Sequence, residues 1–204
     1  DLVFVSSYRA SFETPPSLEP DKAALSIAHK KIFLHLLQYA EENKVELYVV
    51  TKGKVKHEGE HFAEEKRYFE ALANGRRIRL SSTVKDTFKS YQYALRARVL
   101  VTVDSTLGYE ALSVGRRVLF GWGANPKLAR QGESLTKNMP DHIVLTNDKY
   151  QEVKQKLDWL RNVDDIQYDQ TIKNCQSTYV SQKLDYPPHE RIKDHIREHI
   201  SRIE

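Results

Sequence analysis

Val99-Leu-Val-Thr-Val103 runs directly into Asp104-Ser-Thr-Leu-Gly-Tyr-Glu-Ala111, and the reading of this stretch decides the fold. The first five positions form the most apolar run in the chain, the pattern of a strand buried on both faces. Ser105 or Thr106 is a helix-capping residue. Thr106–Val114 then has the spacing of a helix, and Gly115 stops it. A buried strand that turns at once into a helix is the repeating unit of an α/β sheet.

The same unit recurs on either side. Toward the amino end, Asp1–Val5 reads as a strand whose polar loop carries Ser6, Ser7 and Arg9. Asp21 is predicted to cap a helix reaching about Asn43, with Leu25, Ala28, Ile32 and Leu36 at helical spacing. Val45–Val50 and Ile78–Leu80 are predicted strands. Each precedes a predicted helix, His57–Ala73 closed by Asn74-Gly75, and Val84–Leu95. Toward the carboxyl end, Arg117–Phe120 is a fifth strand followed by Gly121-Trp-Gly-Ala-Asn-Pro126, and Ile143–Leu145 is a short sixth. Asp148–Leu160 is an amphipathic helix with Val153, Leu157 and Leu160 on one face. The tail from Tyr168 to Glu204 reads as helical, broken at Pro187-Pro188. The expected fold class is α/β: a Rossmann-like, doubly wound, mostly parallel sheet of about six strands with helices on both faces, over residues 1–167. A helical extension over 168–204 follows.

Composition narrows the function classes. The chain has 204 residues, 40% hydrophobic and 29% charged, enough for one sizeable core without staples. Its single cysteine, Cys175, rules out an intrachain disulfide or a C-x-x-C zinc site. No apolar run is long enough to span a membrane. A cytoplasmic location is expected, and the net charge of +4 is compatible with an anionic ligand or with peripheral association at the inner membrane face. Lys and Arg are interspersed with acids and form no aromatic-basic stripe, which argues against nucleic acid. His195 and His199 share a helical face, yet no carboxylate completes a ligand set, so no metal is expected. There is no G-x-S-x-G elbow and no Walker A loop. A strand at the first residue suggests a piece of a longer protein.

In an open α/β sheet, ligands bind beyond the carboxyl ends of the strands. Those ends carry Ser6, Ser7 and Arg9; Lys52 and Lys54; Ser81 and Ser82; Asp104, Ser105 and Thr106; and Gly121–Asn125. The free amides and dipole of the helix starting at Thr106 make an anion site. Gly108 is expected to let a ligand approach the backbone. Glu110 lies five residues after Ser105 and four after Thr106, so it does not fit a capping box. Helical geometry sets it beside the Leu107/Ala111/Val114 face, where a carboxylate seeks hydroxyl donors such as a ribose diol. A capped helix with a solvated Glu110 is the plainer alternative. Lys52, Lys54 and Arg9 are read as phosphate ligands or as ordinary surface cations, and Tyr91 and Tyr93 as core rather than as packing, with Ser81–Thr87, against a nucleobase edge.

Ser105-Thr-Leu-Gly-Tyr-Glu-Ala111, followed by Gly115-Arg-Arg-Val-Leu119, resembles the carboxyl-terminal domain of GT-B fold glycosyltransferases. It is especially similar to bacterial surface-polysaccharide enzymes, including Kdo-transferase-like and CDP-glycerol-transferase-like groups. The resemblance implies that Ser105, Thr106 and the helix amides hold phosphate, that Glu110 holds the ribose, and that Ser81 and Ser82 border the base. It implies a CMP-, CDP- or UDP-linked sugar donor as substrate, no cofactor, a glycan or lipid-linked acceptor, and a missing amino-terminal GT-B half that carries the catalytic base. The chain alone would then bind donor without turnover. Two departures stand out. Arg117 occupies the family's proline position, and Thr51-Lys-Gly-Lys54 replaces a His-Pro pair. A UDP-GlcNAc 2-epimerase-like enzyme and a non-catalytic α/β binding domain are the alternative readings.

Overall fold

A computed structural model describes residues 1–8, 20–51, 58–81 and 89–179, with side chains described for 1–8, 23–51, 62–81 and 89–175. Arg9, Lys52, Lys54 and Ser82 lie outside the described residues, as do His195, His199 and the Pro187-Pro188 break.

Five strands build one sheet: β1 (Leu2–Val5), β2 (Leu47–Val50), β3 (Arg79–Ser81), β4 (Val99–Thr102) and β5 (Val118–Phe120). Their order is β3-β2-β1-β4-β5, and every pairing is parallel. Parallel strands require crossovers, which the helices provide. They are α1 (Pro20–Asn43), α2 (Glu58–Ala73), α3 (Lys89–Arg96), α4 (Thr106–Ser113), α5 (Pro126–Thr136), α6 (Tyr150–Asn162) and α7 (Asp165–Tyr179). α1 packs on α2, α5 and α6, whereas α4 packs on α3 and α7, so helices cover both faces. This is the doubly wound, Rossmann-like arrangement the apolar runs predict. β1 and β4 are buried at every position. Phe4 lies against the rings of Phe33 and Phe69 in the centre of the core.

The sequence reading needs four local corrections. The sixth strand reduces to a single parallel bridge between Val144 and Phe120, because a 3₁₀ turn at Asp141–Ile143 takes up the preceding residues. α5 goes unpredicted, although Asn125 caps it by accepting from the Lys127 amide (2.9 Å) and Pro126 occupies its first turn. α1 begins at Pro20, which places Asp21 inside the helix rather than at its cap. Val114 is exposed: it sits at the C-cap of α4, not on the face that α4 buries.

Positive φ angles at Asn74 and Gly75 end α2, and Gly115 (φ 75°) ends α4, as predicted. Arg117, the residue in place of the family's proline, has a structural task. Its guanidinium donates to the carbonyls of Leu160 (2.9 Å) and Val163 (2.8 Å) at the end of α6, and to Asp165 (2.6 Å). From α7, Tyr168, Ile172 and Cys175 join the buried core, and the Tyr168 hydroxyl donates to the Arg116 carbonyl (2.6 Å).

Candidate functional site at the strand carboxyl ends

In the order β3-β2-β1-β4-β5, the chain leaves β1 toward β2 on one side and reaches β4 on the other. The crevice between the β1 and β4 ends is the topological switch point, where such sheets bind ligands. Because all strands are parallel, Ser6, Ser7, Thr51, Ser81, Asp104, Ser105, Thr106 and Gly121 share that rim.

A hydrogen bond bridges the crevice: the Ser7 hydroxyl donates to Asp104 Oδ1, joining the end of β1 to the end of β4. Ser7 is fixed from below as well. Its amide donates to Nε2 of His29 on α1 (3.1 Å). His29 is fully buried against Phe4 and Phe69, and desolvation pushes its pKa down to about 3, so the ring is neutral and its Nε2 is an acceptor. Ser6 Oγ accepts from the Tyr8 amide (3.0 Å), which turns the chain at the rim. Ser81 closes the row at β3. Its carbonyl accepts from Thr51, while its own buried hydroxyl has no hydrogen-bond partner among the described residues. Three strand spacings separate Ser81 from the end of β4, about 14 Å.

Ser105 is the N-cap of α4. Its Oγ accepts from the Leu107 amide (3.3 Å), and its carbonyl accepts from the Gly108 amide (3.0 Å). The Ser105 amide itself donates to Thr102 Oγ1 (3.0 Å), which aims the turn. Thr106 is exposed at the helix start, and the first turn of α4 contains no acidic residue. The helix thus begins with a positive field, an available hydroxyl and no acid within its first turn, the nearest carboxylate being Asp104 just before the cap.

Two residues behave differently from the expectation. A Cβ on Gly108 would lie 2.5 Å from Thr102 Cγ2 and 2.9 Å from a Phe120 ring carbon, so the bare side of this glycine faces the sheet. Close helix–strand packing, not ligand approach, is what requires glycine there. Gly121 and Gly123 are constrained in the same way, by Ile32 and by the Leu145 carbonyl. Glu110 is half-buried beside the buried face, as helical geometry predicts, and it already has a hydroxyl donor. Tyr91 on α3 donates to it. This bond, with some burial, raises the Tyr91 phenol above its ordinary pKa. Tyr91 is therefore a rim residue, 43% exposed, rather than core. Tyr93 does pack inward, against Tyr48.

The structure brings Ser6, Ser7, Ser81, Ser105, Thr106 and Glu110 to one rim and gives Gly108 a packing role. Sequence reasoning missed His29, although a histidine inside the Leu25/Ala28/Ile32/Leu36 stripe was a visible signal. Asp104 has no role that the sequence alone reveals, because its partner Ser7 lies 97 residues away.

A family model described as "putative O-antigen biosynthesis protein" matches residues 1–193. The chain belongs to this family. Among curated proteins no significant match is found. Among solved structures, the "putative UDP-N-acetylglucosamine 2-epimerase" of Listeria monocytogenes is similar over 97% of this chain, with 14% identity and a TM-score of 0.55. The UDP-GlcNAc 2-epimerase of Methanocaldococcus jannaschii, solved with UDP-GlcNAc and UDP, covers 80% of the chain with 12% identity and a TM-score of 0.49. The first likeness shows the Rossmann-like fold. The family member spans 45% of the Listeria chain and 39% of the Methanocaldococcus chain.

Proposed function

We propose that the chain is the nucleotide-sugar-binding half of an enzyme of surface-polysaccharide synthesis, and that it holds the donor of a glycosyl transfer. The observation that carries this reading is the start of α4 at the switch point. A Ser-capped helix with no acid in its first turn stands beside the Ser7–Asp104 bridge, with Glu110 one turn further along.

The residues take the following roles. Phosphate accepts from the Thr106 amide and hydroxyl and from the Ser105 hydroxyl, and the α4 dipole stabilises the charge that grows on it as the sugar leaves. Glu110 accepts from a ribose hydroxyl, either beside Tyr91 or in its place. Ser81 offers its unsatisfied hydroxyl to the base, about 14 Å from β4. Ser82 follows it in sequence, and Ser6 and Ser7 line the crevice between. Arg9, Lys52 and Lys54, which follow β1 and β2 in the sequence, supply further positive charge. The field at the helix start allows donor binding without a metal ion. The acceptor and the catalytic base belong to the rest of the protein.

Epimerisation of a sugar nucleotide is the second reading. The shared fold with a chain named for that activity favours it.

Calorimetric titration of the chain with CMP, CDP, UDP and GDP tests the proposal. One nucleotide should bind, and Glu110→Ala should weaken it about 10- to 100-fold, the loss expected for hydrogen bonds to a charged group. No binding at millimolar concentration rules the reading out. With the longer parent protein and a labelled nucleotide-sugar, label moving to a glycan indicates transfer, whereas an isomeric nucleotide-sugar indicates epimerisation.

A further inference from the structure

Beyond β5 the sheet ends in a groove of 460 Å³, between α6 and the segment Asp141–Asn147. The volume is in the range of small-ligand sites. Gln151, Gln155 and Trp159 recur every fourth residue along α6 and line one wall as a single stripe. His142 stacks on Trp159, with ring centroids 4.3 Å apart and planes 14° apart, and Thr146 and Asn147 complete the opposite wall.

The stripe is unlike the rest of α6. Val153, Leu157 and Leu160 face the core. Glu152 and Lys156 pair with each other (2.8 Å). Glu152 also accepts from the amides of Thr146 (2.9 Å) and Asn147 (2.8 Å), and Lys156 reaches Asp141 (3.3 Å). Burial alone would raise the Glu152 carboxyl. The Lys156 ammonium and the Thr146 and Asn147 donors outweigh it and hold the group below its ordinary value, hence charged. The amides of Gln151 and Gln155, by contrast, make no hydrogen bond among the described residues, and both are exposed to the groove.

The groove therefore offers uncommitted planar amides and an aromatic wall. Its charges cancel: Asp141 and Glu152 against Lys149 and Lys156. A ligand matching it bears many hydroxyls, has an apolar face and carries no net charge. That description fits a neutral saccharide. Asp141 and Glu152 both pair with Lys156, which leaves a phosphate or an acidic peptide only the exposed Lys149 at the groove's edge. We infer that this groove binds a neutral saccharide segment of the glycan being synthesised, with Gln151 and Gln155 bonding its hydroxyls and the Trp159–His142 pair packing against its apolar face. The inference rests on the polysaccharide family, not on the nucleotide site, from which the groove is separate.

The chain contains two tryptophans. In a Trp122→Phe background, Trp159 is the sole indole reporter. The probe is O-polysaccharide from the source organism, freed of lipid by mild acid. Expected are saturable binding with a change in Trp159 emission, and at least about tenfold weaker binding in Gln151→Ala/Gln155→Ala, the loss of two hydrogen bonds. Both glutamines are exposed, so the double variant should fold, and its nucleotide titration should match that of the unaltered chain. No binding at millimolar glycan repeat, or binding that the double variant leaves unchanged, overturns the inference. A chain that binds glycan through these glutamines and yet no nucleotide leaves the groove standing and removes only the reading of the switch-point site.

Discussion

The two rims of the sheet are built from opposite materials. At the amino-terminal rim, where α1 and α2 end, arginines dominate and are occupied. Arg76 reaches Glu41, and Arg77 and Arg79 reach Glu46. Arg98 donates to the carbonyl of Arg161, and Arg117 collects the carbonyls of Leu160 and Val163. At the carboxyl-terminal rim, where α3, α4 and α5 begin, there are hydroxyls and glycines, and none of these three helices has an acid in its first turn. Helix ends carry partial charges of opposite sign. Arg98 and Arg117 neutralise the negative end of α6, whereas the positive ends of α3, α4 and α5 carry no acid within their first turns. A rim that is complete belongs to stability. A rim left electrically incomplete belongs to binding.

Breaking the complete rim should cost the most. Arg117→Ala removes a guanidinium that is 12% exposed, together with its bonds to two carbonyls and Asp165. It should destabilise the chain by about 3 kcal/mol in urea unfolding, without changing nucleotide affinity per folded molecule. Next is the support under the open rim. His29 has its pKa depressed to about 3 by burial, against 6.5 when exposed. The unfolded chain therefore takes up a proton that the folded chain refuses once pH falls below 6.5. Stability is full above that pH and declines below it, by at most about 1.4 kcal/mol per pH unit until near pH 3. His29→Gln keeps an acceptor for the Ser7 amide. It should flatten this part of the pH profile, and an unchanged slope would refute the assignment. Gly108→Ala presses a methyl onto Thr102 and Phe120 and should cost about 2 kcal/mol. The smallest stability effect is the most pointed. Thr106→Asp places an acid at the start of α4 and should stabilise the chain by about 0.5 kcal/mol, while abolishing nucleotide binding through like-charge repulsion. Loss of both stability and binding would count against an incomplete rim.

Much of this was legible in the sequence, for identifiable reasons. Val99–Val103 and Leu2–Val5 are uniformly apolar because both faces of a parallel sheet are covered, so strand existence and fold class followed. The Ser105 cap and the Gly115 stop are local chemistry and could be read directly. The sixth strand could not: whether Ile143–Leu145 pairs depends on the edge of β5, a long-range property. α5 is not legible because an Asn-Pro start is as much the signature of a turn as of a helix. The site was half visible. Residues at the strand ends follow from topology, but the partner of Glu110 on α3 and the service His29 gives Ser7 from α1 join positions far apart in sequence. The bare side of Gly108 is the same lesson: a glycine near a ligand rim is not necessarily a glycine for the ligand.

The Ser7–Asp104 bridge also constrains how the molecule is assembled. Its ends are 97 residues apart, and they cap β1 and β4, neighbours at the middle of the sheet. During synthesis β1 can pair with β2 early, but the centre of the sheet has to wait until β4 is made. Contacts this distant in the chain slow folding and leave an apolar strand edge exposed in the interval. A nascent chain that ends before β4 is half a sheet with an open, sticky margin. The seam at the centre of the finished sheet is thus one that it closes late.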